Sequence, residues 1–152
     1  RQLHSTRRRQ RQMCIRDRRH SSTNPDSMLH KSKYGFEFND HVRPISDELI
    51  LTKNVNSAFI GTGLTEILKK FKIKTIVIVG MTTNHCISTT VRMSGNLGYE
   101  TYLISDSTAC FNTIGQDGEE IDCEIIYNIS IANLKDEFAK IISSKKLFEL
   151  LT

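Results

Sequence analysis

Lys74-Thr75-Ile76-Val77-Ile78-Val79-Gly80-Met81-Thr82-Thr83-Asn84-His85-Cys86-Ile87-Ser88 is the stretch on which the fold turns. From Thr75 to Val79 the residues are β-branched without a break, the pattern of a parallel strand covered on both faces. After Cys86 the spacing becomes helical: Ile87, Val91, Ser94 and Leu97 share one face, and Gly98 stands where a helix would end. Cys86 is therefore expected at a strand-to-helix turn on the carboxyl edge of a sheet, where open α/β folds bind their ligands. The dipole and the first-turn N–H groups of the following helix favour an anion there, and hence the nucleophilic thiolate.

The same alternation extends in both directions. Upstream, residues 48–52 read as a short strand. Thr62 then caps a helix over Leu64, Ile67, Leu68 and Phe71, with Lys69, Lys70 and Lys72 in its last turn. Downstream, residues 100–106 form another strand that ends in the turn residues Asp106-Ser107-Thr108. A break at Gly115 to Gly118 precedes an amphipathic helix over 119–133, a short strand over 138–142, and a helix capped by Ser143 or Ser144 that runs through Leu150. Strands alternating with helices predict a three-layer α/β/α, doubly wound, Rossmann-like fold with a mostly parallel sheet and right-handed crossovers. Between His20 and Pro44 turn formers dominate, which predicts a long surface loop of the kind that often binds ligands.

Composition bounds the rest. The 152 residues hold 21 basic and 17 acidic side chains, a formal charge of +4. Residues 1–19 take eight of the basic ones, all arginine, against Asp17 alone, which leaves 13 basic and 16 acidic residues and a mildly acidic remainder. The Arg-rich head has almost no apolar periodicity and cannot bury surface. It reads as a basic transit peptide or nucleic-acid arm, as a disordered tail, or as non-native sequence, since Gln12-Met13-Cys14-Ile15-Arg16-Asp17-Arg18 looks like a translated sequencing adapter. The domain proper is expected to span 20–152. No apolar run reaches the ~18 residues that span a bilayer, and the head lacks the apolar segment of a secretory signal. The cysteines at 14, 86, 110 and 123 have neither C-x-x-C spacing nor scaffold density, so a soluble cytoplasmic protein with reduced thiols is expected, without a membrane or nucleic-acid partner.

Gly80-Met81-Thr82-Thr83-Asn84-His85-Cys86-Ile87-Ser88-Thr89-Thr90-Val91-Arg92-Met93, followed by Asn96-Leu97-Gly98-Tyr99, resembles the nucleophile segment of the isochorismatase-like cysteine hydrolases, which include nicotinamidases and N-carbamoylsarcosine amidohydrolases. Thr52-Lys53 with Asn56-Ser57-Ala58-Phe59 resembles that family's lysine strand and its Ser-Ala-Phe turn. The resemblance implies an Asp-Lys-Cys triad in which Cys86 is the nucleophile and Lys53 the lysine. It also implies a cis peptide between Met81 and Thr82, and an oxyanion hole made by the N–H groups of Thr82 and Cys86. His20, Phe59, Asn84 and His85 are expected to line the substrate pocket. The family's triad aspartate lies at the end of a first strand, which together with a helix would precede His20. Asp17 is not assigned that role, so the chain reads as a fragment. The implied activity is thiolate attack on the C–N bond of a small amide or ureido compound, without a cofactor and in a homo-oligomer.

Each residue also has a plainer reading. A non-catalytic binding or scaffold member of the same fold would use the pocket without chemistry. Cys110 and Cys123 read as small apolar residues, with Cys123 on the inner face of its helix. His20 and His41 lack an Asp-x-His pair, and no metal site is expected. Asp106 reads as a turn cap, Arg92 as a surface or subunit contact, and Gly61-Thr62-Gly63 as a turn before a helix rather than a phosphate loop.

Overall fold

The computed structural model describes residues 18–38, 40, 43–44 and 48–152. Cys14, Asp17 and His41, considered above, lie outside the described residues. The described residues fall into two compact units, one up to Ile67 and one from Leu68 to Thr152.

In the first unit β1 (Arg18–His20) pairs in parallel with β2 (Leu51–Lys53), His20 opposite Lys53. The domain boundary drawn at His20 therefore falls inside a strand, because Arg18 and Arg19 pair with Leu51 and Thr52. The Arg19 guanidinium lies 4.0 Å from the centroid of the Phe36 ring, which gives the loop that follows β1 a cation–π anchor. β2 is shorter than the expected strand and starts at Leu51; its buried members are Leu51 and Lys53. Helix α1 (Leu64–Lys70) starts where predicted, with Thr62 Oγ1 accepting from the Leu64 N–H at 3.3 Å.

The second unit is an α/β arrangement on a three-stranded, all-parallel sheet in the order β3 (Thr75–Met81), β4 (Glu100–Ala109), β7 (Lys140–Ile142). Its core is Ile76 and Ile78 of β3, Leu103 and Ile104 of β4, Ile87, Val91 of α2 (Ser88–Asn96), Leu134 and Ala139. The expectation that β3 is covered on both faces is corrected: Val77 and Val79 are 38% and 54% exposed. A β-branched run fixes the strand, but whether a second layer covers it depends on the tertiary structure. Helix α2 ends in a Schellman motif, with Gly98 at φ +82°, its N–H on Gly95 O, and the Tyr99 N–H on Ser94 O.

Two further differences have clear causes. β4 runs through the expected turn at 106–108, but its ladder with β3 is interrupted there: Ile78 pairs with Leu103 and Gly80 with Thr108, so two steps on β3 face five on β4. Asp106 sits in that interruption and serves another element. Its carboxylate accepts from the Ser144 N–H at 2.8 Å and from the Ser144 hydroxyl at 2.7 Å, at the start of α4 (Ser144–Leu151). Residues 119–122 do not open the next helix. β5 (Thr113–Ile114) and β6 (Glu120–Ile121) form an antiparallel hairpin, after which Asp122 caps α3 (Cys123–Ala132) through the Glu124 N–H at 2.7 Å. The glycines at 115 and 118 thus mark a hairpin turn, and Asp122 is a better N-cap than any residue before it. Among the described residues no helix is long and apolar enough to cross a membrane.

Candidate active site

The second unit holds the nucleophile segment. β3 leaves the sheet at Met81, the Met81–Thr82 peptide bond is cis, and residues Thr83–Ile87 form a single π-helical turn that leads into α2. Such turns are rare and are found often at functional sites. Thr82 O accepts from the N–H groups of both His85 and Ile87 at 3.2 Å, which closes the turn around Cys86. The Thr82 hydroxyl and His85 Nδ1 are 3.0 Å apart, so His85 is tied back to the residue that follows the cis bond. Thr83, fully buried, pairs its hydroxyl with that of Thr108 at 2.8 Å and fastens the turn to the end of β4. Cys86 is a half-buried thiol outside any disulfide, and Asn84 leaves its buried Oδ1 without a hydrogen-bond partner.

The first unit holds the lysine. Lys53 is 5% exposed, and a buried ammonium must be hydrogen-bonded to persist. Nζ donates to Val55 O at 3.0 Å and meets His20 Nδ1 at 3.1 Å. An ammonium can only donate, so Nδ1 is the acceptor and the imidazole carries its proton on Nε2. Burial first, and then the charge on Lys53, hold the His20 imidazole below its usual titration range, which agrees with a neutral ring. The strand register that sets His20 opposite Lys53 brings the two together, and the Ser21 N–H on Lys53 O at 2.8 Å continues it. Phe59 follows in the Ser57-Ala58-Phe59 turn, its N–H on the Ser57 hydroxyl at 3.2 Å.

His20 and Lys53 thus form one group in the first unit, and Met81, Thr82, Asn84, His85 and Cys86 form another in the second. Two contributors carried no signal in the sequence. Thr108 is 25 residues from Thr83, inside what read as a turn, and only the offset of β4 against β3 brings it there. Tyr127 of α3 donates its hydroxyl to Ser105 O at 2.7 Å, and its phenol is raised above the usual range by burial, with smaller contributions from Asp106 and Cys110. Arg92, expected at a surface or subunit contact, lies 4.6 Å from the Phe138 ring centroid and donates to Asn133 O at 3.4 Å. Among the described residues no three of His, Cys, Asp and Glu are grouped to hold a metal ion.

Comparison with known proteins gives this geometry a context. The model of the isochorismatase domain matches residues 15–146. The isochorismatase family protein YrdC of Bacillus subtilis (strain 168) is 52% identical over 128 residues, which is 84% of this chain and 68% of that protein. Nicotinamidase 3 of Arabidopsis thaliana is 33% identical over 101 residues, 66% of this chain and 45% of that enzyme. Among solved structures, a hydrolase of the isochorismatase family from Chromobacterium violaceum ATCC 12472 superposes with a TM-score of 0.84 at 32% identity, over 88% of this chain and 69% of that one. The chain thus spans about two thirds of the length of YrdC and less than half of the nicotinamidase.

Proposed function

Because the chain belongs to the isochorismatase family, we propose that the protein is a cysteine hydrolase that cleaves the C–N bond of a small amide or ureido compound, with Cys86 as nucleophile. The observation that carries the reading is the thiol of Cys86 on a π-helical turn at the carboxyl end of a parallel strand. In the proposed sequence the thiolate attacks the carbonyl carbon, and the carbonyl oxygen becomes an oxyanion. The backbone N–H groups of Thr82 and Cys86 are assigned to stabilise it; such donors are typically worth about 3 kcal/mol each. The C–N bond breaks, the nitrogen leaves as ammonia or an amine after taking up a proton, and water hydrolyses the thioester.

Lys53 is assigned the role of the triad lysine, with His20 accepting from its ammonium and thereby fixing its rotamer. The general base, an aspartate in the family the sequence resembles, has no assigned residue in this chain. The name of the Arabidopsis relative directs the first assays to primary amides such as nicotinamide; ureido compounds come second.

The test compares the wild-type protein with Cys86→Ala on a panel of primary amides and N-carbamoyl compounds, with circular dichroism as the control for folding. Removing a covalent nucleophile should lower turnover on the order of 10⁴-fold or more while the spectrum stays the same. Turnover retained in Cys86→Ala would end the thiolate mechanism. A wild-type protein that binds panel members without consuming them, and whose Cys86 is alkylated no faster than Cys110 and Cys123, would instead support the non-catalytic binding role.

A further inference from the structure

Cys110 and Cys123 are not used by the proposed chemistry, and they share one place in the fold. Both line a cleft of about 370 Å³ between the end of β4 and the start of α3, with Thr108, Tyr127 and Asn128 among its other walls. Both are free and half-buried, and so reachable by a small reagent. The hairpin lies between them in the chain and folds it back on itself: Thr113 pairs with Ile121 and Ile114 with Glu120. Asn112 holds the two chains at that point, its Oδ1 accepting from the Cys123 N–H at 2.9 Å and its Nδ2 donating to Glu120 Oε1 at 2.9 Å. Cys123 and Tyr127 are four residues apart on α3 and share a face of that helix, and the Cys110 thiol lies near enough to the Tyr127 phenol to affect its titration.

We propose that Cys110 and Cys123 are a reversible dithiol–disulfide pair, a redox-modification site at the junction of β4 with α3. The step needs an oxidant, and a low-molecular-weight disulfide such as oxidised glutathione supplies it. One thiolate attacks a sulfur of the glutathione disulfide, forming a mixed disulfide and releasing one reduced glutathione. The second thiol, deprotonated, then attacks the protein sulfur of that mixed disulfide and releases the other glutathione. Two protein thiols lose two electrons and two protons, and one disulfide is reduced to two thiols. The cross-link closes a short chain loop and ties the first residue of α3 to the residue that follows β4. Thr108, which lines that cleft, holds Thr83 of the π-helical turn, and α3 packs against the same turn, so the bond would stiffen the wall on which the nucleophile segment rests. Oxidation at this pair acts beside the nucleophile without consuming it.

The experiment uses the reduced full chain, incubated with oxidised glutathione, alkylated, digested without reductant and read by mass spectrometry. The expected product is a single cross-linked peptide pair joining Cys110 to Cys123, reversed by dithiothreitol and formed equally well in Cys86→Ser. In Cys110→Ser and in Cys123→Ser the cross-link disappears, and the remaining cysteine accumulates a glutathione adduct. Glutathione adducts on both Cys110 and Cys123 of the wild-type chain without a cross-link, or a cross-link that engages Cys14 or Cys86, would overturn the assignment. The readout needs no enzymatic activity, so it stands or falls separately from the proposed hydrolysis.

Discussion

Replacing Gly95 with alanine is a sharp test of the packing that holds the nucleophile helix. In an open helix interior Gly→Ala is stabilising by about 1 kcal/mol, because alanine loses less backbone entropy on folding. At position 95 the new Cβ would stand 2.9 Å from Phe138 O and 3.1 Å from Phe138 Cα, both backbone atoms, so no rotamer change relieves the contact. Nor is the 134–139 segment free to retreat. The N–H groups of Phe138 and Ala139 both donate to Leu134 O at 3.1 Å, Leu134 is fully buried, and β7 begins at Lys140. Relief therefore requires α2 to shift as a body, an overpacking that costs about 1–3 kcal/mol. Toward the upper half of that range the clash exceeds the propensity gain, and the net loss is about 1–2 kcal/mol. With a urea m-value of about 2 kcal/mol/M, the unfolding midpoint should fall by roughly 0.5–1 M with little change in slope. Gly98→Ala is the control. It has no heavy atom within 4 Å of the built Cβ and suffers only the left-handed strain of φ +82°, on the order of 1 kcal/mol. A Gly95→Ala protein as stable as wild type, or more so, would refute the close approach of α2 to the Phe138 backbone.

Three further outcomes follow from other parts of the molecule. Leu103, fully buried in the middle of β4, should lose about 2–5 kcal/mol on Leu103→Ala by equilibrium denaturation; a loss below 1 kcal/mol would mean that the sheet core collapses around the gap. Asp122→Ala removes the N-cap of α3 and should cost about 1 kcal/mol, with Asp122→Asn recovering most of it; equal stability of all three proteins would remove Asp122 from that role. The His20 imidazole is harder to protonate in the folded chain than in the unfolded one, so the unfolded state takes up the proton first. The stability this contributes is whole above the unfolded value of about 6.5 and is lost as the pH falls from there through the lower folded value. His20→Gln should therefore show a flatter acid limb in stability measured against pH, and superimposable limbs would mean that burial and the charge on Lys53 do not hold His20 neutral.

The sequence by itself determined the elements and their order around Cys86. A β-branched run, helical spacing after the cysteine and a glycine at the helix end are local signals, and β3, α2 and the Schellman motif at Gly98 followed from them. Lys53 was legible only through the motif around it, because a lysine at a strand end looks the same whether solvated or buried. Its burial and its bond to His20 arise from the register of β1 against β2, 33 residues apart in the chain. The tertiary structure alone decided the rest. A three-residue offset between β3 and β4 brought Thr108 to Thr83, a hairpin in place of a helical turn brought Cys110 to the cleft it shares with Cys123, and the face of β3 that carries Val77 and Val79 was left exposed. The physical reason is common to all three: periodicity reports which way a side chain points from its own element, whereas register and layer contacts are set by the partner strand or helix, which can lie anywhere in the chain.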